Sequence, residues 1–250
     1  MRVVADVDSL ERATVQAVAP EYLDDTVPGW LLPMDPGTVG RAQCAVPLSH
    51  EEADPALIDV HIERYRARGF APAWRLPDLP SFTPFHVALG RRGFTRRQPT
   101  LTQVCPVADL LERLPATPGP EAALQDRPDA AWLAMFLGEG LDPVDGASRS
   151  RALARAVGTR FASLREQGTT RACGAASFSH GWLGVHGMRT DAARRGRGLA
   201  SAVMRAMATE AQQRGIGRVF LQVDAGNAPA LSLYQRLGFE TAWGYAYWRP

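Results

Sequence analysis

Residues 182–201 read Trp-Leu-Gly-Val-His-Gly-Met-Arg-Thr-Asp-Ala-Ala-Arg-Arg-Gly-Arg-Gly-Leu-Ala-Ser, an apolar strand that runs through an Arg/Gly loop straight into a helix. Gly196 and Gly198 carry no Cβ, so the backbone there can turn sharply and come close to a ligand. The first four N–H groups of the helix that follows have no partner within it, and the helix dipole adds partial positive charge. Arg194, Arg195 and Arg197 supply full charges. The stretch is suited to cradling an anion such as a phosphate. A solvated basic turn that merely caps a helix would have the same composition, so its surroundings decide.

Downstream, residues 199–214 place Val203, Met204, Met207 and Ala211 on one helical face and stop at Gly215. A strand at 218–223, a loop at 224–229, a helix through Leu237 and an aromatic strand at 243–248 complete the chain. Upstream, residues 160–165, 171–178 and 182–190 read as three successive strands of an antiparallel meander, preceded by helical spacing at 130–137 and 148–157.

The N-terminal half opens with a short helix at 8–18, followed by strands at 29–34 and 39–46 around the turn Asp35-Pro36-Gly37. A helix is expected from a Ser49 N-cap, with Glu52 completing a capping box, through the stripe Leu57, Ile58, His61, Ile62 and Tyr65 to Gly69. His61 sits among core positions and reads as packed. A short strand at 72–76, a helix at 81–92 and an extended run at 98–104 follow. Residues 106–129 hold Pro115, Pro118, Gly119, Pro120 and Pro128, the clearest composition shift in the chain. The expected organisation is therefore a domain at 1–107, a Pro-rich linker at 108–128 and a second domain at 129–250.

The halves share two short matches at an offset of about 146 residues. Arg68-Gly69-Phe70 aligns with Arg214-Gly215-Ile216, and Arg91-Arg92-Gly93-Phe94 with Arg236-Leu237-Gly238-Phe239. Both halves then run helix, short strand, helix, Gly-Phe, final strand, which points to two copies of one fold. Where the second has Arg195-Gly196-Arg197-Gly198, the first has Ser49-His50-Glu51-Glu52, acidic and without glycine, so only the second should hold an anion.

Two motifs in the second half resemble the GNAT acyltransferase superfamily. Arg195-Gly196-Arg197-Gly198-Leu199-Ala200 is similar to its Arg/Gln-x-x-Gly-x-Gly/Ala loop. Asn227-Ala228-Pro229-Ala230-Leu231-Ser232-Leu233-Tyr234, followed by Gly238-Phe239, is similar to its Asn-x-x-Ala-x-x-Leu-Tyr and Gly-Phe signature. The resemblance covers roughly residues 130–248 and, as a degenerate copy, the N-terminal half. It implies a mixed α/β (α+β) chain of two tandem GNAT-like folds, each a mostly antiparallel central sheet flanked by helices. It also implies an N-acetyltransferase that moves an acetyl group from acetyl-CoA, as co-substrate, to a primary amine by direct transfer in a ternary complex. Backbone groups at Arg197, Gly198, Leu199, Ala200 and Ser201 would hold the pyrophosphate, with Arg195 and Gly196 in the same loop. Met188, Arg189 and Thr190 would bond the pantetheine arm as an added strand. Asn227 would fix the loop before its helix and touch the same arm. Tyr234 would protonate the departing thiolate, a task within reach of a phenol of pKa about 10. The acceptor amine must lose a proton, and His186, placed like a histidine of arylalkylamine N-acetyltransferases, is the base expected, with Asp224, Glu240 or water as substitutes.

Other classes fit less well. A non-catalytic acyl-CoA-binding sensor or partner-binding protein, whose N-terminal half contacts a partner, is the alternative, and retention of Tyr234 speaks against it. A dinucleotide-binding turn would need a glycine where Ser201 stands, and no parallel βαβ succession follows. A net charge of +2 implies no nucleic-acid partner, and no apolar run approaches the roughly 18 residues that span a bilayer. No signal-peptide core opens the chain, and Cys44, Cys105 and Cys173 lack metal or redox spacing, so a cytoplasmic protein without a metal is expected. All 28 basic residues are Arg, a bias typical of a GC-rich bacterial genome that also excludes lysine chemistry. The acceptor, a small molecule or a peptide, and the choice between monomer and homodimer stay open.

Overall fold

The computed structural model describes residues 5–51, 53–114, 121–137 and 142–250. The chain begins with α1 (Val7–Val18), then β1 (Tyr22–Asp24), β2 (Trp30–Met34) and β3 (Val46–Pro47), which pair as a small antiparallel sheet. Next come α2 (Leu57–Ala67), β4 (Trp74–Pro77), α3 (Thr83–Arg91), β5 (Thr95–Pro106) and α4 (Val107–Arg113). The remainder runs β6 (Ala123–Gln125), α5 (Ala130–Leu133), α6 (Pro143–Arg155), β7 (Arg160–Glu166), β8 (Thr169–Ser179), β9 (Trp182–Thr190), α7 (Leu199–Gln213), β10 (Arg218–Asp224), α8 (Ala228–Arg236) and β11 (Glu240–Arg249).

A mixed, mostly antiparallel sheet of eight strands, ordered β4-β11-β5-β10-β9-β8-β7-β6, organises the molecule. Its parallel pair is β9 with β10. The last strand of each half crosses to the other half: β5 pairs with β10 and β11 pairs with β4, both antiparallel, while β5 and β11 lie side by side at the centre. A buried cluster of Leu10, Cys44 and Ala73 with Trp182, Phe220 and Trp243 fills the seam, so the halves share a core. The second half packs its own core where Val203, Met204, Met207 and Ala211 of α7 lie on the sheet.

Three expectations change. Residues 39–46 do not form one strand: Gly40–Ala42 is a single 3-10 turn, and the strand is confined to Val46–Pro47. A Cβ on Gly40 would lie 2.8 Å from the Tyr247 ring, so the turn is pressed against β11 and aims Arg41 across the seam. The helix expected from Ser49 starts at Leu57, beyond Pro55, and Ser49 Oγ instead accepts from the Glu51 N–H in a turn; Glu52 lies outside the described residues. Within the stretch read as a linker, α4 and β6 are ordered elements. Val107, Leu110 and Leu114 are buried with the α7 core, a local apolar pattern that the prolines obscure in a window average; Pro115, Pro118, Gly119 and Pro120 lie outside the described residues. No helix among the described residues is long and apolar enough to cross a membrane.

His61 is packed, as its spacing implies: it is fully buried, and the Trp74 Nε1–H donates to its Nδ1 at 2.9 Å. Burial pushes both His61 and His50 down to about 4. Between pH 6.5 and 4 the unfolded chain therefore binds protons that the folded chain refuses, so stability present above pH 6.5 is lost as the pH falls. For His61 alone the loss by pH 5 is on the order of 2 kcal/mol. Thermal melts at pH 7 and pH 5 should show the midpoint several degrees lower in acid; equal midpoints would contradict it.

Candidate acyl-donor and acceptor sites

Gly198 occupies the N-cap of α7 in the left-handed region, with φ +78°, and offers no side chain to cap the helix. The opening amides of α7 are thus left to a ligand or to water. They border a groove of about 890 Å³ whose opposite wall is Met188, Arg189 and Thr190. Of the residues expected to hold the donor, Arg195, Gly196, Gly198, Leu199, Ala200, Ser201 and Asn227 also line it. Arg197 is exposed beside the groove without lining it. Arg194 has a structural task as well, reaching Glu166 at 3.4 Å. Arg113 and Arg236 complete the cationic rim, and sequence reasoning missed both because they come from α4 and α8.

The strand wall is open because β9 leaves β10. The two pair over Leu183, Gly184 and Val185, and beyond that point β9 keeps only its β8 partners, Arg189 opposite Cys173 and Thr190 opposite Ala172. A bulge at Gly187 and Met188, both set against Gly174, bends the strand. Gly187 has φ +59°, and a Cβ there would come 3.0 Å from the Phe136 ring. Residues 188–190 consequently present main-chain groups to the groove on the side facing away from β8.

A second cavity, about 310 Å³, fills the splay between β9 and β10 and meets the groove at Met188, Arg189, Asn227 and Ala230. Tyr234 lines it from α8, with its ring edge-on to Phe239 at 5.6 Å; burial raises its phenol above the usual value, so it stays protonated at neutral pH. Asn227 caps α8, its Oδ1 accepting from the Ala230 N–H at 3.2 Å.

His186 faces this cavity from β9 but is almost fully buried. Arg41 Nη1 lies 3.2 Å from Nδ1, and Ser177 Oγ lies 3.0 Å from Nε2. A guanidinium only donates, so Nδ1 accepts and the ring proton sits on Nε2, directed at Ser177. Burial, with the Arg41 charge second, holds the imidazole well below its usual value. Both nitrogens are engaged and the ring is neutral, which removes the free lone pair expected of a base. Asp224, at the end of β10, is the carboxylate lining the cavity. Glu240, the other carboxylate considered, starts β11 and lines neither space.

A third space of about 530 Å³ continues from the second through Val39, Arg41, Arg149, Gln222 and Asp224, and is walled by Tyr245, Tyr247 and Arg249. Arg41 is the contribution sequence reasoning could not supply: it bonds His186 and, at 2.8 Å, Gln222 Oε1, partners 145 and 181 residues away. Burial pushes the thiols of Cys44, Cys105 and Cys173 up to about 11, 12 and 12, so none is a ready nucleophile. Among the described residues no group of three or more His, Cys, Asp or Glu side chains could hold a metal ion.

Solved structures share this architecture. A GCN5-related N-acetyltransferase from Kribbella flavida superposes with a TM-score of 0.72 over 99% of this chain and 96% of its own, at 18% identity. A tandem GNAT protein from the clavulanic acid biosynthesis pathway gives 0.59 over 97% and 94%, at 14% identity. The fold is that of the GNAT acyltransferases. The model of the family described as "Probable histone acetyltransferase Rv0428c C-terminal" matches residues 4–248, and the chain belongs to that family. Among curated relatives, the streptothricin acetyltransferase of Streptomyces lavendulae is 33% identical over 103 residues, 40% of this chain and 52% of that protein. The mycothiol acetyltransferase of Corynebacterium jeikeium is 48% identical over 46 residues, 18% and 13%. The matched segments thus span about half of the first relative and a small part of the second.

Proposed function

We propose that this protein is an acetyl-CoA-dependent N-acetyltransferase that transfers directly to a primary amine in a ternary complex. The observation that carries the reading is the meeting of two spaces, a cationic groove of about 890 Å³ and a cavity of about 310 Å³, beside a protonated phenol. The α7 amides and the arginines of the rim hold the diphosphate, and the free edge at 188–190 bonds the arm as an added strand. When bound, acetyl-CoA supplies the activated acyl group. A backbone N–H of the bulged β9 would stabilise the negative charge that develops on the thioester carbonyl oxygen. Tyr234 Oη gives its proton to the leaving sulfur. Asp224 takes the proton of the amine, directly or through water, and His186 holds Arg41 in place instead of acting as the base. The inert thiols support direct transfer over a covalent enzyme intermediate.

We further propose that the two halves are tandem copies, of which only the second holds the donor. The matched glycines share a conformation, Gly69 with Gly215 (φ +77° and +70°) and Gly93 with Gly238 (φ +85° and +88°). The small sheet also meets β4 through a parallel bridge, Ala45 with Trp74, as β9 meets β10.

Thermal unfolding of wild type and Gly198→Glu with acetyl-CoA, CoA and NAD tests the donor. Ligand at 100 times its Kd stabilises by about 2.7 kcal/mol, a shift of several degrees in a chain of this size. Both CoA forms should shift wild type and not the variant, and NAD should shift neither. Stabilisation without transfer to any amine would point to a sensor, and no response to CoA would sink the donor site.

A further inference from the structure

Resting on that reading, we propose that the acceptor is an amine that also carries an anionic group, a carboxylate or a phosphate, which Arg41 and Arg249 bind in the chamber beyond the acceptor cavity while the amine points back to Asp224. Three arginines, Arg41, Arg149 and Arg249, line this chamber, and Asp224 at its junction with the cavity is the carboxylate among the lining residues. Arg149 is neutralised by Asp145 at 2.6 Å. The other two have no carboxylate partner among the described residues. Arg41 engages Nη1 alone, with Gln222 Oε1 and His186 Nδ1, both neutral. Arg249 engages Nη2 alone, with Gln43 Oε1 at 3.0 Å and the Cys44 sulfur at 3.7 Å. Each guanidinium has five N–H donors, so most of their donors remain available.

With Asp145 committed to Arg149, Asp224 is the carboxylate left among the lining residues to balance both Arg41 and Arg249, and a ligand anion would offset the excess positive charge. Burial, reinforced by the charges of Arg75 and Arg149, already pulls Arg41 below its usual value. The partners they do have act as orienters: Gln222 and His186 hold Arg41, Gln43 holds Arg249, and Tyr247 lies beneath the Arg249 guanidinium at 5.9 Å. A planar, pre-oriented guanidinium pair suits bidentate binding of carboxylate or phosphate oxygens. Asp224 and Arg41 line the junction with the acceptor cavity and Arg249 lines the chamber but not the cavity, so an ammonium held beside Asp224 leaves a distal anion within the arginine-lined chamber.

The test is equilibrium binding by ligand-observed NMR to CoA-saturated protein, which needs no turnover. L-amino acids are compared with their amides, and phosphoethanolamine with ethanolamine, the two arms separating carboxylate from phosphate. In at least one pair the anionic member should bind tenfold or more tightly. Arg249→Gln should reduce that preference below threefold and Arg249→Lys should keep most of it, with CoA binding and the melting midpoint unchanged in both. Neutral members binding as tightly, a preference that survives Arg249→Gln, or no binding by any member would overturn the proposal. A protein that fails to bind CoA would instead reveal failure of the donor reading, and the pairs are then compared on free protein by the same criteria.

Discussion

Tyr234→Phe should lower turnover by about 10²-fold or more while leaving acetyl-CoA affinity nearly unchanged. The substitution removes one oxygen and keeps the ring, so the edge-on contact with Phe239 and the packing of α8 on the core survive. Tyr234 lines the cavity where β9 and β10 part, and its raised phenol keeps the proton through the neutral range. A leaving thiolate without a proton donor must depart as an anion, and the effect therefore falls on kcat. Leu89 stands at the matching place in the first half, and the Phe94 N–H bonds its carbonyl as the Phe239 N–H bonds that of Tyr234. Packing at this position accordingly needs no hydroxyl. Near-normal kcat in the variant would remove Tyr234 from the chemistry.

The largest effect on stability is expected at Glu11. Arg75 of β4 and Glu11 of α1 form a two-point ion pair, both side chains almost wholly buried, with Nη1 to Oε1 at 3.1 Å and Nη2 against Oε2. Burial alone would pull the guanidinium down, and the charge and hydrogen bonds of Glu11 more than offset it, holding Arg75 above its usual value. The guanidinium also lies over the Tyr245 ring at 5.0 Å, so the pair ties α1 to two strands of the seam. Glu11→Ala strands a charge in the core and should cost about 3–5 kcal/mol. At roughly 2–4 °C per kcal/mol, the midpoint falls by about 6–20 °C. Replacing both partners with apolar residues, Glu11→Leu with Arg75→Met, should recover most of the loss. A single variant that melts with wild type would show the pair to be dispensable.

Much of the donor side is legible because its physics is local. The glycines that permit φ near +75° sit beside the helix start that leaves amides free, and the Asn227 cap serves an amide three residues on, at Ala230. The periodicities of α7 and of the three strands β7, β8 and β9 are equally local, and each gives a contiguous element. The acceptor side is not legible in this way. Arg41 reads as an ordinary residue of an expected strand, and it becomes a cavity wall only because Gly40 turns the chain against Tyr247, a residue more than two hundred positions away. His186 carries the right chemistry for a base, but its role depends on two neighbours that no spacing reveals, Ser177 across the sheet and Arg41 across the seam.

Most elements of each half, the glycine loop ahead of α7 and the place of the phenol are legible in the sequence, because these follow from backbone freedom, side-chain period and capping over short distances. The tertiary structure decided how the halves join. β5 enters between β10 and β11, and β11 reaches across to β4. Such an exchange of final strands is invisible to local pattern, since a strand's alternation is the same whichever half it pairs with. It is settled only when the seam buries Leu10, Cys44, Trp182, Phe220 and Trp243 together, and that burial brings the arginines of the first half to the cavity of the second.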